Sequence, residues 1–291
     1  MRLVAYSANN QKKLGICGSD SEKIVDIATI GLHAANMTDL VKILSESDTG
    51  EILKQVDAAE GTPISACTVL SPIKYPAQDV VCLGVNYYEH RDETVASNIS
   101  YDAQRKKTVY FSKRVNETVD PNDYIDGHLD LVDALDYEVE LAVILGKDAY
   151  QVSVEEAEAY VFGYTIMNDV SARDLQAAHQ QWYFGKSLDR FTPLGPWIVT
   201  RDEFSWPPVT ELRCYVNGEL RQRNNTQNMI TGIAQAIHQL SQGMTLKAGT
   251  ILAMGTPSGV GMAFDPPKYL QAGDVVRCEI DGIGCLENVV R

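Results

Sequence analysis

The chain has 291 residues, 45% of them hydrophobic, which is typical of a globular protein with a sizeable core. Its formal net charge of −14 argues against a nucleic-acid partner, because nucleic acids bind basic surfaces. No apolar run approaches the roughly 20 residues of a membrane span, and residues 1–6 lack the apolar stretch of a signal peptide. We therefore expect a cytoplasmic protein with no membrane partner. The six cysteines are scattered without a CxxC pair, which favours reduced thiols over a thiolate metal site.

The first 72 residues are predicted to form a small α/β module. Its three short strands and two helices are predicted at residues 2–6, 13–17, 23–27, 38–46 and 51–60. Gly61, Pro63 and Ser71-Pro72 then interrupt the pattern. We place the domain boundary near residues 70–75 and expect a catalytic domain over residues 73–291.

The remaining chain is richer in strands. Strands are predicted at residues 80–85, 137–145, 161–167, 212–216, 219–223, 275–280 and 284–290, and helices at 153–160, 171–181 and 230–241. Asn217-Gly218 and Asp281-Gly282 are typical of hairpin turns. Ser153 and Glu156 form a capping-box pattern at the start of the first helix. Because strands outnumber helices and do not alternate with them regularly, we expect an α+β, mainly β fold.

Two carboxylates on one predicted strand are the first candidate for chemistry. Residues i and i+2 of a strand point to the same face, roughly 6.5–7 Å apart, so Glu138 and Glu140 would lie side by side. Adjacent carboxylates repel unless a proton or a cation separates them, and oxygen ligands suit a hard divalent ion. Taken alone, the pair is equally typical of a solvent-facing strand. Asp169, at the junction between the strand at 161–167 and the next helix, is a third candidate ligand or else a turn residue.

Three further segments carry polar side chains in unusual contexts. His90 and Glu93 share one face if the segment is helical, and a carboxylate beside an imidazole raises its basicity, although a surface pair has the same spacing. Lys186 lies in an apolar, glycine- and proline-rich context and could stabilise an oxyanion or a carboxylate. The glycine-rich segment 255–261 lacks the GK[ST] ending of a phosphate-binding loop, but its amides and the Thr256 hydroxyl could bind a substrate oxygen. An acidic substrate would also require local positive charge, for which Arg173 and Lys186 are candidates.

The order of these motifs resembles that of the fumarylacetoacetate hydrolase family. The matching segments are CLGVNY at 82–87 followed by His90 and Glu93, DYEVELA at 136–142, MNDVSARDLQ at 167–176, GKS at 185–187, PLGPW at 193–197 and GTPSGVG at 255–261. Several motifs in one order, spread over most of residues 75–291, make this a specific match. One departure is Arg114, which follows Lys113 where many relatives have proline.

The resemblance implies a mixed β-sandwich roll and a homodimer. It implies that Glu138, Glu140 and Asp169 bind Mg²⁺ or Mn²⁺, with Ca²⁺ as a further candidate. It also implies three catalytic residues: His90 and Glu93 as a water-activating dyad, and Lys186 facing the developing negative charge. The side chains implied to line the substrate site are Arg173, Gln176 and Thr256.

The function implied is metal-dependent cleavage of a carbon–carbon bond in a small 2-oxo acid, of the acylpyruvate or fumarylpyruvate hydrolase type. A 2-oxo acid can chelate a metal through its carboxylate and keto oxygens, and cleavage would leave a metal-stabilised pyruvate enolate. Decarboxylation of oxaloacetate gives the same enolate and is one alternative. Isomerisation or tautomerisation of a dioxo acid is another, and a catalytically silent metal-binding protein is a third. The residues that would read the distal half of the substrate are expected in segments such as 94–108, a candidate lid.

Overall fold

The computed structural model describes residues 1–96, 107–179 and 181–291, so most of the predicted lid segment lies outside the described residues. The strands of the first half are β1 Arg2–Ala8, β2 Gln11–Cys17, β3 Lys23–Asp26, β4 Thr62–Pro63, β5 Thr68–Leu70, β6 Val80–Gly84, β7 Val109–Lys113, β8 Tyr124–Ile125, β9 Leu135–Asp136 and β10 Val139–Leu145. Those of the second half are β11 Val161–Asn168, β12 Ser171–Ala172, β13 Leu194–Thr200, β14 Glu211–Val216, β15 Glu219–Asn225, β16 Ile251–Ala253, β17 Val275–Ile280 and β18 Gly284–Val290. The α-helices are α1 Met37–Ser45, α2 Thr49–Ala58, α3 Tyr88–Ala96, α4 Arg173–Ala178, α5 Tyr183–Lys186 and α6 Ile233–Ser241. Among these described helices, none has the length and apolar character needed to cross a bilayer.

Two large sheets build the molecule. The first has eleven strands in the order β4-β3-β2-β1-β13-β11-β10-β16-β6-β7, with β5 also paired to β1. The second has five strands in the order β15-β14-β17-β18-β8. A mainly β, mixed architecture is therefore confirmed. The first strand of the N-terminal segment pairs with β13, for example Leu3 with Ile198, so residues from both sides of the predicted boundary share one sheet. The division into residues 1–72 and 73–291 stays a prediction.

Strand β10 separates two parts of the core because its side chains alternate between the faces of the first sheet. Val139, Leu141 and Val143 belong to the cluster that includes inward-facing residues of the five-stranded sheet and of α6. Ala142 and Ile144 belong to the opposite cluster, which includes the buried face of α1. Glu140, two residues before Ala142, brings a buried carboxylate to this second face, and the buried Glu138 lies just before the strand. That change of character along one strand positions the candidate site.

Most predicted elements are present, with differences at their ends. The Asn217-Gly218 turn joins β14 to β15, and both residues have positive φ, as a type I′ turn requires. The predicted helix at 153–160 is wrong as an α-helix. Its capping box does form, since the Ser153 hydroxyl and Glu156 carboxylate are 2.8 Å apart, but only a turn and a 3₁₀ helix at Ala157–Tyr160 follow. The helix predicted at 171–181 is shorter, because Ser171 and Ala172 pair with β9 and the helix begins at Arg173.

Candidate metal centre and active site

Three buried carboxylates meet where β10 and β11 lie side by side. The register pairs Val139 with Asn168, so Glu138 and Asp169 flank the last pair of the ladder. The amide of Asp169 donates to the carbonyl of Glu138 at 2.8 Å and locks this alignment. Glu138, Glu140 and Asp169 are 5%, 1% and 0% exposed, which excludes a solvent-facing strand with ordinary surface acids.

The donor set fits a hard divalent cation. One oxygen from each of the three carboxylates lies within 4.8 Å of the others. Ligand distances of about 2.0–2.6 Å for Mg²⁺ or Ca²⁺ place oxygens on opposite sides of an ion about 4–5 Å apart, which this cluster satisfies. No cysteine or histidine belongs to the group, and all-oxygen ligation favours Mg²⁺, Mn²⁺ or Ca²⁺ over zinc. The three predicted metal ligands are thus brought together.

Buried cations balance much of the negative charge. Lys186 Nζ lies 2.7 Å from both Glu138 Oε2 and Asp169 Oδ2, and Lys113 Nζ lies 2.6 Å from Asp169 Oδ1. Arg173 Nε donates to Asp136 Oδ2 at 2.9 Å. The Arg173 Nη2 atom forms an ion pair with a Glu138 oxygen at 2.6 Å. These lysine and arginine side chains contact all four carboxylate oxygens of Glu138 and Asp169 and so hold both side chains in place.

The two glutamates have opposite electrostatic environments. Burial raises the pKa of Glu138, but the stronger combined attraction of Lys186 and Arg173 lowers it to about 2. Burial, followed by repulsion from Asp169 and Glu138, raises the pKa of Glu140 well above its ordinary value. Among the described residues, Glu140 pairs with no lysine or arginine and accepts one hydrogen bond, from the Gly255 amide at 2.8 Å. Glu140 is therefore the carboxylate that most requires an added cation.

Position 255 requires glycine for two reasons, its backbone conformation and the lack of space for a side chain. Its φ is +87°, which side-chain-bearing residues rarely adopt. A Cβ at this position would lie 2.7 Å from the Cβ of Asn86. Asn86 in turn bonds the carbonyl of Met254 at 2.8 Å and the amide of Thr231 at 2.7 Å. This network fixes the glycine-rich segment so that its first amide reaches Glu140.

The predicted dyad is formed on α3. His90 Nδ1 lies 2.9 Å from Glu93 Oε2, and the other Glu93 oxygen accepts from the Gly259 amide at 2.8 Å. His90 is only 4% exposed. The glutamate is thus anchored to the glycine-rich segment and orients the imidazole, as general acid–base chemistry requires.

A cavity of about 30 Å³ joins the dyad to the carboxylates. Its lining includes seven of the predicted site residues: His90, Glu138, Glu140, Arg173, Gln176, Lys186 and Thr256. Gln176 accepts from Arg173 at 3.0 Å, and the Thr256 hydroxyl donates to the carbonyl of Val139 at 3.0 Å. The roles of these side chains in catalysis and substrate binding stay predictions, but the structure places them around one space.

Sequence reasoning missed two charged members of the cluster. Lys113 is completely buried, and Asp136 holds Arg173 while accepting from the Gly261 amide at 2.6 Å. Asp136 precedes Glu138 by two residues, so the same i, i+2 spacing was the available signal. Lys113 adjoins the departure noted at Arg114, whose exposed backbone amide donates to the Ser187 hydroxyl at 3.0 Å. Arg114 thus lies next to the segment that carries Lys186.

Comparison with known proteins gives these residues a family. A family model described as fumarylacetoacetate (FAA) hydrolase C-terminal matches residues 79–291. The chain belongs to the fumarylacetoacetate hydrolase family. All three carboxylates, the dyad and the buried lysines fall within the matched residues. Family membership and the family fold, both expected from the motif order, are confirmed.

Curated relatives and solved structures agree with this assignment. The oxaloacetate tautomerase YisK of Bacillus subtilis (strain 168) is 42% identical over 227 residues, which are 78% of this chain and 74% of the relative. The mitochondrial oxaloacetate tautomerase Fahd2a of Rattus norvegicus is 36% identical over 296 residues, covering 100% of this chain and 91% of the relative.

Among solved structures, the fumarylacetoacetate hydrolase of psychrophilic Exiguobacterium antarcticum matches with a TM-score of 0.80 at 34% identity, covering 100% of this chain and 99% of that one. The maleylpyruvate hydrolase of Sphingobium sp. SYK-6, in complex with manganese(II) and pyruvate, matches with a TM-score of 0.78 at 27% identity, covering 100% and 98%. Relatives of this family are therefore enzymes with more than one reaction type.

Proposed function

We propose that the chain is a divalent-metal-dependent enzyme that acts on a small 2-oxo acid through its enolate. The observation that carries this proposal is the buried group of Glu138, Glu140 and Asp169, in which Glu140 forms no ion pair with a lysine or arginine among the described residues. A metal ion held by these three carboxylates would supply Lewis-acid stabilisation of the enolate. Manganese is a reasonable first choice, since a structural neighbour was solved with manganese(II) and pyruvate.

The surrounding side chains would bind the substrate and move its protons. Arg173, which lines the cavity and is held by Asp136, would supply positive charge to the substrate carboxylate. Lys186, 2.7 Å from two of the carboxylates, adds positive charge where the enolate oxygen develops its negative charge. His90, oriented by Glu93, would exchange a proton with the substrate carbon or with water.

Two reactions that each pass through a 2-oxo acid enolate fit this site, and a separate observation supports each. Hydrolysis of a 2,4-dioxo acid is supported by the anchored His90–Glu93 dyad, which suits activation of water. The resulting hydroxyl would attack the distal carbonyl, and the carbon–carbon bond would break to leave pyruvate enolate and an acid. Keto–enol tautomerisation of oxaloacetate is supported by the names of the two curated relatives. It needs only the transfer of a proton between the enol oxygen and the adjacent carbon, with no bond between carbon atoms broken.

A substrate panel tests the proposal. Metal-free protein is reconstituted with Mg²⁺ or Mn²⁺ and incubated with oxaloacetate, acetylpyruvate and fumarylpyruvate. Pyruvate and acid release identifies hydrolysis, pyruvate and carbon dioxide release identifies decarboxylation, and loss of enol absorbance with mass conserved identifies tautomerisation. We expect metal-dependent turnover of at least one substrate. Full activity after exhaustive EDTA treatment would contradict the metal-dependent mechanism, and no turnover in any arm would favour a silent metal-binding protein.

A further inference from the structure

An aromatic side chain stands directly beside the charged cluster. Trp182 precedes α5, and the Lys186 amide donates to the Trp182 carbonyl at 3.2 Å, closing one helical turn. Residues four apart on such a turn lie on the same side. Both Trp182 and Lys186 line the 30 Å³ cavity. A ligand bound at the carboxylates and Lys186 must therefore lie close to the Trp182 ring.

The Trp182 ring is fixed from two sides. It packs edge-to-face against Phe111, with ring centroids 5.3 Å apart and an interplanar angle of 71°. A Cβ at Gly84 would lie only 2.3 Å from Trp182 Cζ3, so the ring rests directly on the glycine backbone. Phe111 also faces Lys186, whose Nζ is 5.4 Å from the ring centroid. The indole is thus held by backbone and by a second ring, and it cannot swing towards Gly84 to make room.

The cavity lining combines charged and apolar side chains. The charged members are Glu138, Glu140, Arg173 and Lys186. The apolar members are Leu83, Val85, Phe111, Trp182 and Met262. The space between them is small, about 30 Å³. A 2-oxo acid whose carboxylate and keto oxygens contact the charged side chains would have its distal group close to the aromatic rings.

We propose that Trp182, supported by Phe111 and Gly84, is a specificity-determining residue that restricts this enzyme to 2-oxo acids with a short distal group. The inference rests on the proposed function, since it assumes that a 2-oxo acid binds at the carboxylates. It deepens that function by naming the substrate class as short-chain. Trp182 acts through the shape of the cavity and takes no part in proton transfer.

A homologous series of straight-chain 2-oxo acids tests this size limit independently of the reaction catalysed. Pyruvate, 2-oxobutyrate, 2-oxohexanoate and 2-oxooctanoate are titrated calorimetrically into the Mn²⁺-loaded protein. We expect wild-type affinity to fall as the chain lengthens. In Trp182→Ala the affinity for 2-oxohexanoate relative to pyruvate should rise by about 10-fold or more, because one methylene in a fitted apolar pocket discriminates by about 10–200-fold. Trp182→Phe should give an intermediate ratio.

Two controls keep the outcomes distinct. Tyr183→Ala removes the neighbouring aromatic residue, which is 43% exposed and does not line the cavity, and it should leave the affinity ratio unchanged. Mn²⁺ affinity measured before the 2-oxo acid is added should be unchanged in every variant, which shows that the centre is intact. If the affinity ratio of 2-oxohexanoate to pyruvate is unchanged in both Trp182→Ala and Trp182→Phe, the role of Trp182 is overturned but the proposed function is not. Failure of the Mn²⁺-loaded wild-type protein to bind any member of the series would overturn the proposed function itself.

Discussion

Two cavities of this protein differ in size and in the balance of their charges. A cavity of about 750 Å³ lies in the N-terminal segment, with apolar lining that includes Leu14, Ile27 and Met37. Its acids each have a cationic partner: Lys13 lies 2.9 Å from Asp26, and Lys74 lies 3.2 Å from Asp120. The cavity at the carboxylates measures only about 30 Å³. The larger cavity is therefore not the one that adjoins the candidate metal centre.

Charge balance under burial is the more informative property. Around the carboxylate cavity, three buried cations lie among four buried acids. The cations are Lys113, Arg173 and Lys186, and the acids are Asp136, Glu138, Glu140 and Asp169. The acid without an ion pair among the described residues is Glu140, one of the three candidate metal ligands. An unpaired buried carboxylate is costly, so a bound cation would stabilise Glu140 more than any other acid of this cluster. The Lys13–Asp26 pair of the N-terminal cavity is partly exposed and contributes little to stability. The following experiments test this contrast.

The largest effect is expected for Asp169→Asn. Asp169 contacts both Lys113 and Lys186, so its neutralisation removes a metal ligand and also leaves two buried lysines short of negative charge. We expect Mn²⁺ affinity to fall by more than about 100-fold, since changes to residues that merely support metal ligands already cost about 10–100-fold. The free energy of unfolding should fall by about 3 kcal/mol. Calorimetric metal titration and chemical denaturation measure the two quantities. Wild-type stability in this variant would contradict the charge balance described above.

Glu140→Gln should separate the loss of Mn²⁺ affinity from the loss of stability. The substitution preserves shape and removes a carboxylate whose pKa is raised by burial and by repulsion from its neighbours. We expect Mn²⁺ binding and activity to be lost as in Asp169→Asn. Without added metal, however, the free energy of unfolding should equal or exceed that of the wild type, because no buried cation loses its partner. A clear loss of stability in the metal-free variant would show that Glu140 is paired in a way the described contacts do not include.

His90→Ala should reduce turnover and leave the metal centre intact. His90 contacts Glu93 and lines the cavity, but it is not among the three carboxylates. Removal of a positioned general acid–base typically costs 10²–10⁴-fold in rate, so we expect kcat to fall by about that range. Mn²⁺ affinity should be unchanged. Undiminished turnover of both oxaloacetate and acetylpyruvate would exclude the dyad from the mechanism.

Local patterns predicted the parts of the site that lie on single segments. The i, i+2 spacing of Glu138 and Glu140 predicted that the two carboxylates would lie together, and they do, although Glu138 lies just before β10. The HxxE spacing of His90 and Glu93 predicted one helix for both, as observed. Asp169 was assigned by its place in the motif order. What local patterns do not contain is the pairing of strands. The β10–β11 register that brings Asp169 to Glu138, and the contact that brings Lys113 across 56 residues to Asp169, are set by tertiary packing.

The errors have the same origin. The capping box at Ser153 and Glu156 forms its hydrogen bonds, but local bonds for one turn do not extend a helix unless an apolar face can be buried along it. Ser171 resembles a helix cap in sequence, yet its backbone pairs with Asp136 in β9. That short pairing matters for the site, since it positions Asp136 beside Arg173. At Ser171, the strand pairing with β9 thus replaces the helix start that the local sequence favours.

The smallest effect is expected in the N-terminal cavity, where Lys12→Ala and His33→Ala provide the matched comparison. Both residues line that cavity and are exposed. They also precede residue 79, where the family match begins. Because neither substitution disturbs a buried charge, stability should change by no more than about 0.5 kcal/mol. Mn²⁺ affinity and kcat/KM should equal the wild-type values. A change in kcat/KM with unchanged stability would instead show that the N-terminal cavity influences the candidate active site, and would contradict the contrast between the two cavities.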